Sequence, residues 1–170
     1  MIGAFRAEAQ LNVAVESGVI YIKHSNIGPP DPKKFISLSD SLDKKLKVNP
    51  NDTMSLFECA LLLEQFNNQL AKATSYTKDP IENLTEAKDM AEHAVGLNMK
   101  DIRLKILRAQ IYKDLVYRFS VSESWKFTSK QILERKIKYN AYRDLANKCY
   151  DELALLDKNN AYDYKKLKVK

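Results

Sequence analysis

The sequence predicts an all-α protein built from antiparallel helix hairpins, and three observations carry that reading. Only four glycines and five prolines occur in 170 residues, against abundant Leu, Ala, Lys and Glu, a composition that favours helix over sheet. The stretch 79–117 reads as one helix, a tight turn and a second helix running back. Three helix ends, VNPND at 48–52, LNMKD at 97–101 and LDKNN at 156–160, are each followed by a new helical pattern, which makes an internal repeat. At this length the chain fits a single domain, 1–170, able to bury roughly 70% of the surface its unfolded form exposes.

In chain order, a first helix is expected over 2–22, with Leu11, Val13, Ala14, Val19 and Ile20 in an apolar band. The breaker cluster HSNIGPP follows, and Asp31-Pro32 then supplies a cap and a first-turn proline. Phe35, Ile36, Leu38, Leu42 and Leu46 form the buried stripe of the second helix, and Asn49-Pro50-Asn51-Asp52 stops it while capping the next. The third helix, 53–67, is apolar through Leu56, Phe57, Ala60, Leu61, Leu63 and Phe66 and should be central. After a polar connector at 68–78, Asp79-Pro80-Ile81-Glu82 opens a helix in which Ala87, Ala91, Ala94 and Val95 make a small-residue face. Asp101 caps the following helix, whose apolar set is Ile102, Ile106, Ala109, Ile111, Leu115 and Val116.

Residues 118–127 alternate, with Phe119, Val121, Trp125 and Phe127 on one side and Ser120, Ser122, Ser124 and Lys126 on the other. Such a segment is either an extended linker whose aromatics close over the core or an exposed aromatic platform for a ligand. Thr128-Ser129-Lys130-Gln131 is a capping box for a long helix reaching about Leu156, with Ile132, Ile137, Tyr142, Leu145, Ala146, Cys149, Leu153 and Leu156. A short terminal helix runs through Tyr162, Tyr164 and Leu167. The hairpins then span about 2–48, 53–98 and 102–157, with a capping helix at 160–168.

The helix ends are separated by 49 residues (Asp52 to Asp101) and 59 residues (Asp101 to Asn160), longer than the repeat of about 34 residues found in tetratricopeptide proteins. The surplus lies inside each unit, between its two helices. With that allowance the chain resembles the tetratricopeptide-repeat family over roughly 35–167. Ala60 and Ala109 match the small position of the first helix, and Leu63 and Tyr112 match the large one that follows. Ala87, Ala94 and Ala146 match the small positions of the second helix, and Pro50 matches the closing proline. Met99 and Lys158 replace that proline elsewhere, and Lys105 stands where the family has a large apolar group.

The resemblance implies hairpins stacked as a short right-handed solenoid, with an irregular helical bundle as the alternative architecture. It also implies a concave groove, lined by the first helices of successive units, that holds a partner peptide or helix. Carried over residue by residue, that groove contains Met54, Phe57, Leu61 and Glu64 from one unit and Arg103, Ile106, Gln110 and Lys113 from the next. The Lys/Asn carboxylate clamp of chaperone-tail binders is not reproduced. Stacking has its own physical logic, because one amphipathic hairpin cannot bury both of its faces.

The net charge of +6 is unevenly spread. Residues 49–101 carry four Lys/Arg and nine Asp/Glu, whereas 102–170 carry seventeen and eight. The basic half, with Arg118, Trp125, Lys126, Lys130 and Lys138, offers an alternative surface for nucleic acid through phosphate contacts and base stacking. No Gly-rich phosphate loop, Ser-His-Asp order, HExxH or paired CxxC occurs, so no catalytic residue, cofactor or metal is expected. Asp89 and His93 share a helix face but make an incomplete metal site. Cys59 and Cys149 have no metal-ligand spacing and fall on apolar helix sides, which fits a reducing, cytoplasmic setting. Arg6, Glu8 and Glu16 interrupt the N-terminal apolar stretch, and no segment is expected to span a membrane. The functional expectation is therefore a non-enzymatic interaction module or scaffold for a protein partner, with nucleic-acid binding as the alternative and self-association through end helices as a further reading.

Overall fold

The computed structural model describes residues 11–23, 32–69, 78–120 and 124–170. A two-stranded antiparallel hairpin, β1 (Val13–Glu16) and β2 (Val19–Ile22), comes first. Six helices follow: α1 (Pro32–Val48), α2 (Thr53–Gln69), α3 (Lys78–Gly96), α4 (Ile102–Phe119), α5 (Ser129–Leu156) and α6 (Ala161–Leu167). The class is mainly helical, and this small sheet is the departure from it.

The hairpin corrects the helix expected over 2–22. Within 13–22 the β-branched residues Val13, Val15, Val19, Ile20 and Ile22 suit a pleated surface better than a helix interior. Ser17 and Gly18 both have positive φ, 50° and 77°, so they form the two-residue mirror-image turn that matches strand twist. The unit expected over 2–48 therefore has a helix, α1, only in its second half among the described residues.

Most helix starts follow from their capping residues. Asp52 accepts from the Met54 N–H at 3.3 Å and from Ser55 Oγ at 2.6 Å. Asp101 accepts from the Arg103 N–H at 2.9 Å. At Thr128 the capping box closes both ways, since Gln131 N–H donates to Thr128 Oγ1 at 3.3 Å and Thr128 N–H donates to Gln131 Oε1 at 2.9 Å. The cap expected from Asp31 lies outside the described residues, as does the Asp79 side chain. At the end of α3, Asn98 takes a left-handed conformation (φ 66°), with Met99 N–H donating to Ala94 O and Asn98 N–H to Val95 O. This pair of bonds satisfies carbonyls the helix leaves open.

Each helix packs against the next in sequence, and α2 also meets α4. Every residue from 55 to 62 is buried, so α2 is central as expected. The small-residue face of α3 is fully enclosed at Ala87, Ala91 and Ala94, which lets α3 lie close between α2 and α4. On α5 the buried side matches the expected one at Ala146, Cys149 and Leu153 and adds Tyr150, whereas Ile137, Leu145 and Leu156 are exposed. The alternation at 118–127 does not form a strand in its described part. Helix α4 continues through Phe119, and Ser124–Lys126 is a single 3₁₀ turn. Among the described residues no helix is long and apolar enough to cross a membrane.

Candidate functional site: the inner face of α2, α4 and α6

Helical spacing aligns Phe57, Leu61 and Glu64 along α2 and Arg103, Ile106, Gln110 and Lys113 along α4. The fold turns the two rows toward each other. Gln110 Nε2 donates to Glu64 Oε1 at 2.9 Å, and the Arg103 guanidinium lies 5.7 Å from the Phe57 ring centroid. Arg103 is also held by Asp101, whose carboxyl it keeps below the usual carboxylate range. Phe57, Leu61, Glu64 and Ile106 are buried, while Met54, Arg103, Gln110 and Lys113 are partly exposed. The rows expected to line an open groove therefore form a covered face.

Its cover is the hairpin, which sequence periodicity missed because its apolar residues also fit a helical band. Strand β2 packs against both α2 and α4. Gln110 grips the main chain of β2 from both sides: Ile20 N–H donates to Gln110 Oε1 and Gln110 Nε2 donates to Ile20 O, each at 3.1 Å. Leu11 N–H donates to Glu58 Oε1 of α2 at 3.3 Å, which partly offsets the burial that raises the Glu58 pKa. The turn reaches α6, where a Cβ on Gly18 would stand 3.0 Å from the Tyr164 ring and 3.1 Å from Leu167. Ile20 is wholly enclosed and Ile22 nearly so. The hairpin thus meets three helices, α2 and α4 through β2 and α6 through its turn.

Beneath it lies a polar cluster. The fully buried Glu64 carboxyl accepts from Gln65 Nε2 at 2.6 Å and from Gln110, and it is hydrogen-bonded to the Asp114 carboxyl. Burial, then the Asp114 charge, pushes the Glu64 pKa up to about 8, so the two carboxyls share a proton at neutral pH. The pKa of the Tyr150 phenol is raised first by burial and then by the Asp114 charge. Glu64 was expected as a groove residue; its place in an otherwise apolar helix run was the available signal for a buried pair.

One turn further along α2, Asn67 is fully buried with neither its Oδ1 nor its Nδ2 hydrogen-bonded among the described residues. Unsatisfied buried amide groups cost about 1–3 kcal/mol each. Asn67→Leu is therefore expected to raise stability by about 1–3 kcal/mol, read as an upward shift of the urea midpoint without a change in slope. A lower midpoint would show that the amide has a partner in solution.

The alternative basic and aromatic surface is only partly assembled. Trp125, Lys126, Lys130 and Lys138 are exposed, and Lys138 Nζ lies 5.1 Å from the Phe119 ring centroid. Arg118, assigned to that surface, is instead buried, because it follows Leu115 by three residues on the core side of α4. Phe119 stacks on Tyr142 with centroids 5.6 Å apart, so it is core rather than platform. Asp89 and His93 line a surface groove of about 500 Å³ with Glu86 and Met90, and no group of three metal-ligating side chains occurs among the described residues. Both cysteines are buried, which pushes the Cys59 thiol up to about 12 and the Cys149 thiol to about 11. Compared with protein-family models, curated proteins and solved structures, the chain matches none of them, so its function is read from the geometry of the inner face.

Proposed function

We propose that this protein is a non-enzymatic interaction module, a short tetratricopeptide-like right-handed solenoid whose inner face holds a segment of a partner protein. The single observation that supports the reading is the main-chain grip of Gln110 on an extended strand lying against α2 and α4. A side-chain amide that pairs with both an N–H and a C=O recognises backbone in the manner of a neighbouring strand. Order within the face comes from consecutive helix packing and from the link between Glu92 of α3 and both Arg108 and Tyr112 of α4, the latter at 2.5 Å.

Capture from extract of the source organism tests the reading. The tagged full chain is expected to retain a stoichiometric protein through nuclease treatment, and the double variant Arg103→Glu with Lys113→Glu to lose it while keeping the helical circular-dichroism signal. Loss of all specific material on nuclease treatment would overturn the reading in favour of nucleic acid at Trp125, Lys126, Lys130 and Lys138, with binding that weakens steeply with salt.

A further inference from the structure

Resting on that reading, we propose that the partner segment is an extended strand with apolar residues at two alternate positions, and that residues 11–23 of this chain are its internal competitor. The hairpin is an imprint of what the face accepts.

In the register Val15 opposite Ile20 and Ala14 opposite Tyr21, hydrogen-bonded and non-bonded pairs alternate along the ladder. The bond from Lys23 N–H to Asn12 O sets the phase, because Asn12 and Lys23 are then a bonded pair. The N–H and C=O of Ile20 therefore point away from β1 and are met by Gln110. A helical ligand has these groups engaged in its own hydrogen bonds and could not make this contact. The occupant must be extended.

Side-chain selection follows from alternation. Ile20 and Ile22 are buried, while Val19 and Tyr21, the residue before each, are more open, so the face selects apolar groups at every second position. In the turn, two residues before Ile20, a Cβ on Gly18 would stand 3.0 Å from the Tyr164 ring, so this position of the internal hairpin favours glycine. The polar groups that meet the segment, Glu58 and Gln110, both bond to main chain rather than to side chains. Such a site accepts different partners that share the backbone shape and the two apolar positions.

Displacement is feasible because the cover is short, with two apolar side chains, Ile20 and Ile22, set into the core. Two four-residue strands are marginal on their own, and Glu58 and Gln110 supply their polar anchors to α2 and α4. A foreign strand then competes with the internal one, and its apparent affinity is its intrinsic affinity multiplied by the fraction of molecules whose face is open.

The test uses the full chain and a fluorescent synthetic peptide of residues 11–23. Gly18→Val should lift the internal hairpin, since it places a β-branched residue at φ 77° against Tyr164. Peptide binding by fluorescence anisotropy is expected to tighten about tenfold or more in Gly18→Val, as removal of a competing closed state predicts. Adding Gln110→Leu should abolish that gain. Native-state hydrogen exchange of the wild-type chain is expected to open the 13–22 amides before those of α4.

If the hairpin amides of the wild type exchange only with α4, the hairpin is an integral part of the core and the proposal is overturned, whether or not Gly18→Val folds. Open hairpin amides in Gly18→Val with intact helices and no peptide binding would also overturn it, leaving the interaction-module reading to the capture experiment. A dimer that exchanges hairpins between copies would replace the foreign strand with a second copy and overturn the partner assignment.

Discussion

Glu64→Gln is expected to remove most of the pH dependence of stability between about pH 5 and 8. The folded-state pKa of Glu64 is raised by burial and by Asp114, so the folded protein keeps a proton that the unfolded chain has released. Stability then falls as pH rises from the ordinary carboxyl range through about 8. At roughly 1.4 kcal/mol per pKa unit, the loss across this window is on the order of 4 kcal/mol, shared by the coupled pair. Glutamine is neutral at every pH, keeps an oxygen for Gln110 and Gln65, and can donate to Asp114. Urea unfolding at pH 5, 7 and 9 reads the effect: the variant should match the wild type at pH 5 and exceed it at pH 9. Parallel pH profiles for the two proteins would place the shared proton elsewhere.

The second large effect is expected at Ala91. Its side chain is fully enclosed on α3, which lies between α2 and α4, and Ala87 and Ala94 continue the same close approach. Ala91→Leu inserts three carbons where helices touch and should cost about 1–3 kcal/mol, because a packed interface yields only by moving helices or straining rotamers. His93→Ala on the exposed side of the same helix should stay within about 0.5 kcal/mol of the wild type. Chemical denaturation separates the two. If Ala91→Leu proved as stable as His93→Ala, α3 would not sit close to its neighbours.

These two positions differ in how far the sequence revealed them. The alanine stripe was legible because helical spacing and residue size are local properties, and so were the caps at Asp52, Asp101 and Thr128. The span of α5 to Leu156 followed from its capping box and the turn signal after it. Glu64 was legible only as one member of a helix row; its partner Asp114 and the proton between them require two distant helices to meet.

Local information also misjudged the first segment. Val13 to Ile22 satisfies a helical apolar band and a two-residue alternation equally well, and Ser17-Gly18 is the local feature that separates them. Charge likewise placed Arg118 at the surface with its basic neighbours, whereas its three-residue offset from Leu115 turns it inward.

By itself, then, the sequence determined the mainly helical class, the boundaries of most helices and which residues share a row along α2 and along α4, since each depends on residues within a turn or two. Only the tertiary structure decided that the face between those rows is occupied, by a hairpin whose backbone Gln110 holds from 90 residues away. The physical reason is that Ile20 offers main-chain groups rather than a distinctive side chain, and the partner of a backbone group is chosen by where distant elements come to rest.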